Sequence, residues 1–171
     1  MKEITTEKLK DILKKHKKWL DYDEDGECAD LKYVDLRGAN LVGLDFRGAN
    51  LEYADFRDAD LRKANLARAN LSHADLAGAN LVGADLGLAD LRFVDLRDAD
   101  LTGVNLFNSC WPLWWGSFDV NVDKGLAVQL AYHFCQLKCD DPEYQEARKA
   151  LIKFAKQYHN LYVYGKIVGF M

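Results

Sequence analysis

Residues 29–48 read ADLKY VDLRG ANLVG LDFRG, and this five-residue phrase runs without insertion or deletion through residue 108, sixteen copies in all. Its centre is Leu or Phe: Leu31, Leu36, Leu41, Phe46, Leu51, Phe56, Leu61, Leu66, Leu71, Leu76, Leu81, Leu86, Leu91, Leu96, Leu101 and Leu106. The residue before each centre is always Asp or Asn, and two before it stands Ala, replaced only by Val34, Leu44, Val94 and Val104. A helix cannot use this period, because at about 100° per residue successive centres would advance roughly 140° and spread around the cylinder. A flat strand cannot either, since side chains alternate at every residue and an odd period sends the centres to opposite faces in turn. A chain that turns a corner every five residues keeps all sixteen centres inside. The pattern therefore predicts an all-β solenoid core over 29–108, with the sixteen centres as its structural core.

The AlaAspLeu and AlaAsnLeu phrases in this register resemble those of the pentapeptide repeat family, and the resemblance covers 80 of 171 residues. It implies a right-handed, quadrilateral β-helix with four repeats per coil, hence about four coils here. Glycines fall two after the centre at Gly38, Gly43, Gly48, Gly78, Gly83 and Gly103, the corner where a positive φ is needed. Isolated repeats cannot bury their apolar face alone, so stability comes from stacking coils.

Working outward, residues 1–28 are expected to cap the first coil. Leu9, Ile12, Leu13, His16, Trp19 and Leu20 follow the spacing of one buried helical face. Thr5 or Thr6 is the N-cap candidate. Glu7 and Asp11 sit towards the start, while Lys14, Lys15, Lys17 and Lys18 crowd the end, matching the helix dipole. The acidic turn 21–27 contains one glycine, Gly26, where the chain is expected to reverse. A solenoid needs such a cap because its first coil otherwise exposes an apolar end and unpaired strand edges.

Residues 109–171 form the expected C-terminal cap. Trp111, Trp114 and Trp115 would plug the last coil, and Phe118, Val120 and Val122 alternate as in a short strand. Asp123 starts a helix to about Lys138, and Asp141 before Pro142 starts a second, so that the two make a hairpin. The apolar tail 161–171 would pair with the short strand or exchange between chains, which makes a homodimer through this end an expectation.

Charge and composition narrow the function. The net charge of −4 disfavours direct nucleic-acid binding driven by overall positive charge. The start of the chain lacks the apolar core of a signal peptide, and no apolar run reaches membrane-spanning length, so a soluble, cytoplasmic protein of bacterial type is expected, without a membrane partner. Cys135 and Cys139 lie one helical turn apart with His133 nearby and Cys110 in the neighbourhood, yet no motif completes a tetrahedral set. No metal site and no cofactor are assigned, and free thiols are the expectation; Cys28 and Cys110 flank opposite ends of the repeats, too far apart to bridge. No nucleophile arrangement or phosphate loop is recognisable, so no catalytic residue is assigned and the protein is not expected to be an enzyme.

The outward positions are where function is sought. Tyr33, Tyr53, His73 and Phe93 recur at one corner every twenty residues, and Asp35, Asp55, Asp75 and Asp95 form an acidic ladder on the next face, interleaved with Arg37, Arg57 and Arg97. Tyr33, Tyr53 and Phe93 together with the four aspartates are the candidate interaction surface. The reading is a non-enzymatic interaction scaffold for an unidentified protein partner. The resemblance supplies one alternative, because some pentapeptide repeat proteins mimic DNA and inhibit or protect DNA gyrase. Against it, four coils at about 4.8 Å each make a rod near 19 Å, roughly six base pairs at 3.4 Å, and thirteen acids in the repeats face nine bases. A metal-binding C-terminal module is a further alternative.

Overall fold

The computed structural model describes residues 1–110 and 142–156. The chain divides into two compact units, Met1–Asp123 and Lys124–Met171. The tryptophan plug, the strand at 118–122, the helix from Asp123, the Cys135–Cys139 pair with His133, and the tail 161–171 lie outside the described residues.

In the first unit every pentapeptide closes a four-residue turn. The amide three after each centre donates to the centre's carbonyl, from Val34 to Leu31 at 3.2 Å through Ser109 to Leu106 at 3.1 Å. The third turn residue has φ between about +54° and +70° in all sixteen copies, the left-handed conformation that type II turns require. Six of these corners are glycine and ten are not, so the frame carries left-handed strain of about 1 kcal/mol or more at each of the ten. Stacking holds the corners in place. Leu31 N–H donates to the Asn50 carbonyl at 2.8 Å and Asn50 N–H to the Ala29 carbonyl at 2.9 Å. The same parallel bridge recurs between residues twenty apart, from Asp30 with Asn50 to Asp90 with Cys110. Twenty residues, four pentapeptides, thus make one coil, and each coil satisfies the backbone of the next.

All sixteen centres are buried at 3% exposure or less. Beneath them the small Ala side chains let the walls approach, and only Ala39 and Leu44, in the first coil, are half-buried rather than buried.

The start of the chain closes that first coil in two ways. Strand β1, Lys2–Glu3, pairs in parallel with β2, Val34–Asp35, and Lys2 N–H donates to the Tyr33 carbonyl at 2.7 Å. This strand was not expected, because two charged residues carry no periodicity. Helix α1, Thr6–Leu20, follows, with Thr5 as N-cap, its hydroxyl accepting from Lys8 N–H at 3.2 Å. His16 is fully buried, and its Nδ1 accepts from Ala29 N–H at 3.1 Å. The Trp19 ring lies against Gly48, where a Cβ would come within 3.3 Å of it. The return from α1 is as tight as backbone permits: a Cβ on Gly26 would sit 2.3 Å from Trp19 N and 2.6 Å from the Lys18 carbonyl carbon.

In the second unit α2 spans Pro142–Lys156, beginning at the proline whose fixed φ suits the first helical position. Among the described residues no helix is long and apolar enough to cross a membrane.

Candidate interaction surface

The Asp or Asn before each centre does not point simply outward. In all sixteen repeats its Oδ1 accepts the backbone N–H two residues on, from Lys32 N–H on Asp30 at 3.2 Å to Phe107 N–H on Asn105 at 3.0 Å. This Asx turn explains why the position admits only those two residue types: a short side-chain carbonyl or carboxylate reaches the amide. Asn and Asp are therefore interchangeable for the fold and differ in what they do outside it.

The difference is arginine. Six repeats carry Arg just after the centre, and all six carry Asp just before it: Asp35 with Arg37, Asp45 with Arg47, Asp55 with Arg57, Asp60 with Arg62, Asp90 with Arg92, and Asp95 with Arg97. In each pair Arg Nε and Nη2 donate to the carboxylate, for example 2.9 and 2.6 Å for Arg57 on Asp55. Repeats with Asn carry Val42, Glu52, Ala67, Ser72, Val82 or Phe107 there instead. Arg37 Nε also lies 3.6 Å from Asp55, and Arg57 Nε 3.5 Å from Asp75, so the pairs link along the axis.

These pairs put the charge in layers. The Asp55 carboxylate is 2% exposed beneath a 45% exposed Arg57, and Asp95 is 20% exposed beneath a 62% exposed Arg97. Solvent on this face therefore meets guanidinium first. The Arg37 guanidinium, with the Arg37 backbone N–H, holds the Asp35 carboxyl down at about 2. Arg57 likewise lowers Asp55 against the opposing effect of burial, and Asp55 raises Arg57 in return. The Asp35 and Asp55 carboxylates stay ionised through the neutral range, and Asp35, Asp55 and Asp95 lie under Arg37, Arg57 and Arg97 rather than over them, whereas Asp75, followed by Ala77 in place of an arginine, is 35% exposed with Arg57 Nε 3.5 Å away.

Beside this face stands the aromatic column. Tyr33, Tyr53, His73 and Phe93 stack with centroids 5.0, 4.6 and 4.7 Å apart and interplanar angles of 16°, 4° and 12°. The spacing is that of neighbouring β-strands, so the coil rise itself sets the stack. Tyr33, His73 and Phe93 are exposed, and Tyr53 half-buried. Lys32 Nζ pairs with Glu52 and lies 5.1 Å from the Tyr33 ring centre, within cation–π range. The four rings could be found from the twenty-residue spacing; the Asp-x-Arg pairs were visible in the sequence as well, but only the turn geometry shows the carboxylate folding inward.

Elsewhere the exterior is less organised. Two clefts of about 270 and 370 Å³ flank α1 and share Lys8, Ile12 and Asp30, with basic and acidic side chains mixed in each. Buried His16 has its Nδ1 engaged, and its Nε2 has no hydrogen-bond partner among the described residues. Cys28 and Cys110 are both free and exposed.

The family model for pentapeptide repeats matches residues 29–68 and 69–106. A search of curated protein sequences returns no match. Among solved structures, the chain is similar to a pentapeptide repeat protein from the Arabidopsis thaliana thylakoid lumen: 32% identity over 62% of this chain and 77% of that one, TM-score 0.53. It also resembles the pentapeptide repeat protein Rfr23 of the cyanobacterium Cyanothece 51142, at 34% identity over 56% of this chain and TM-score 0.31, and spans 60% of that protein's length. The plasmid-mediated fluoroquinolone resistance protein QnrB1 is 24% identical over 64% of this chain and 67% of its own, TM-score 0.35, a likeness of fold alone. The unbroken turn register, the family match and the thylakoid-lumen relative together make this chain a member of the pentapeptide repeat family, whose fold is the right-handed quadrilateral β-helix.

Proposed function

We propose that the protein is a non-enzymatic interaction scaffold that presents the aromatic column and the adjoining arginine face to a protein partner in the cytoplasm. In this reading about four coils, residues 29–108, form a rigid post capped by 1–28. The observation that carries it is the unbroken stack of Tyr33, Tyr53, His73 and Phe93, open to solvent. Aromatic and arginine side chains on a pre-ordered frame are the usual carriers of interface energy. A photo-crosslinking phenylalanine analogue at Phe93 is expected to trap discrete protein adducts in cells, while the same analogue at Val82, two faces away, gives none. Equal adducts at both sites would refute the surface.

DNA mimicry is the weaker reading, because it needs a continuous negative exterior and six Asp–Arg pairs interrupt that exterior. A gyrase supercoiling titration, with and without a quinolone, separates the two: salt-sensitive inhibition or drug protection would favour mimicry. Self-association through the C-terminal region is part of the proposal, and light scattering with and without residues 161–171 tests it.

A further inference from the structure

Among the described residues a single hydrogen bond joins α1 to the repeats, from Ala29 N–H to His16 Nδ1 at 3.1 Å. Little else secures the helix. His16 is its one fully buried residue, while Leu9, Ile12, Leu13 and Leu20 are half-buried and Trp19 is exposed. The helix nonetheless closes the end of the solenoid, for Leu31, Leu41 and Phe46 are fully buried although no earlier coil covers them. A ring nitrogen that accepts an N–H carries no proton, so neutral His16 is the Nε2–H tautomer. That Nε2 is buried and has no hydrogen-bond partner among the described residues.

We propose that His16 is the catch of an acid-released cap: one proton on its imidazole frees α1 from the first coil while the coils beneath stay folded. The charged ring carries a hydrogen on both nitrogens, which turns the acceptor facing Ala29 N–H into a second donor 3.1 Å away. Turning the ring over presents a carbon instead. In either orientation the buried Ala29 amide loses its acceptor, and a cation is left away from water. The groups facing the ring do not offset this. From the first coil Asp45 favours the cation and Arg47 opposes it, and the Asp45 carboxylate already accepts from Arg47 Nε, Nη2 and backbone N–H. Asp21, at the end of α1, faces Arg47 in turn. On α1 itself the Trp19 ring stacks on the imidazole at 5.5 Å and 14°; stacking attracts a cation but supplies no acceptor. Once α1 swings away, the ring meets water and keeps its proton. The repeats contain one histidine, His73, and it is exposed, so the coils have no matching buried imidazole to charge.

The test is hydrogen exchange by NMR on the full chain at pH 7 and pH 5, each amide corrected for the intrinsic pH dependence of exchange. An ordinary histidine pKa of about 6.5 in the open state limits the gain in opening to about 25-fold over that interval. The α1 amides are expected to accelerate about tenfold or more. The Asp75 and Asp95 amides, which bond to the coil before, should change less than about twofold. His16→Asn places its side-chain oxygen where Nδ1 stands and cannot be charged, so its α1 amides should accelerate less than about twofold. Imidazole nitrogen shifts of the unmodified protein read the tautomer directly, and the proton is expected on Nε2 at pH 7. A proton on Nδ1, equal acceleration of α1 and the coils, equal acceleration in His16→Asn, or α1 amides that exchange alike at both pH values would each overturn the proposal.

Discussion

Substituting Asp55→Asn separates what the carboxylate does for the turn from what it does for charge. The amide keeps an Oδ1 for the Arg57 N–H, as Asn does in six other repeats. What it loses is the carboxylate charge and the Oδ2 acceptor, and with them the bond from Arg57 Nη2 at 2.6 Å and the approach of Arg37 at 3.6 Å, while the Arg57 Nε bond to Oδ1 at 2.9 Å is left facing a neutral acceptor. Hydrogen bonds to charged groups contribute about 1.5–3 kcal/mol, whereas breaking a buried pair costs about 3–5 kcal/mol. The lower range governs here, because Arg57 is 45% exposed and can turn its freed guanidinium to water. A loss of about 2 kcal/mol follows, a melting temperature lower by about 4–8 °C for a chain of this size. Asp95→Asn removes the same atoms at a 20% exposed carboxylate and should cost about 1 kcal/mol or less. Asp55→Ala should exceed both, since it also leaves the Arg57 N–H without its acceptor. Urea unfolding followed by circular dichroism measures all three at pH 7. The arginine pair lowers the Asp55 pKa, so its stabilisation is complete above about pH 4 and disappears as pH falls through the lowered value. The difference between wild type and Asp55→Asn should shrink over that window. Equal losses at positions 55 and 95, or a loss at 55 under about 0.5 kcal/mol, would refute the layered arrangement of charge.

Two further predictions concern the start of the chain. Gly26→Ala drives a Cβ into the Trp19 and Lys18 backbone, which cannot swing aside, and should cost about 3 kcal/mol; Gly43→Ala, at φ +66° with open space around it, should cost only about 1 kcal/mol, and equal melting temperatures would contradict this. Burial lowers the His16 pKa below 6.5, with Asp45 raising it and Arg47 lowering it in smaller measure; the folded chain therefore favours neutral His16, its contribution is complete above about pH 6.5 and is lost as pH falls towards the depressed value. His16→Asn retains an acceptor without titrating, so its stability should fall less than that of the wild type between pH 7 and 5, and parallel pH profiles would contradict a role for His16 titration.

Much of this was written in two superimposed periods. The five-residue period fixes what points inward, and it was sufficient for the sixteen centres, the alanines and the corners, because each follows from turn geometry repeated in register. The twenty-residue period arranges the exterior and made the aromatic column visible as Tyr33, Tyr53, His73 and Phe93. The aspartates were harder. Counting columns puts Asp35 to Asp95 on a face, but only the Asx turn bends each carboxylate back to the amide two residues on, and Asp35, Asp55 and Asp95 under the arginine there. Strand β1 had no signal at all: Lys2 and Glu3 pair through backbone alone, and no side-chain pattern reports that. Helix α1 was legible from its apolar stripe, although not the bond from Ala29 N–H to His16, which needs the helix and the first coil placed together.

Deleting residues by count tests most directly whether the two periods are separate. Removing 49–53 keeps every centre inward and shifts the exterior columns by one face; removing 49–68 keeps both registers; removing 49–52 breaks both. Cooperative thermal unfolding by circular dichroism is predicted for the first two variants and its absence for the third. A four-residue deletion that melts as cooperatively as the five-residue one would contradict the account.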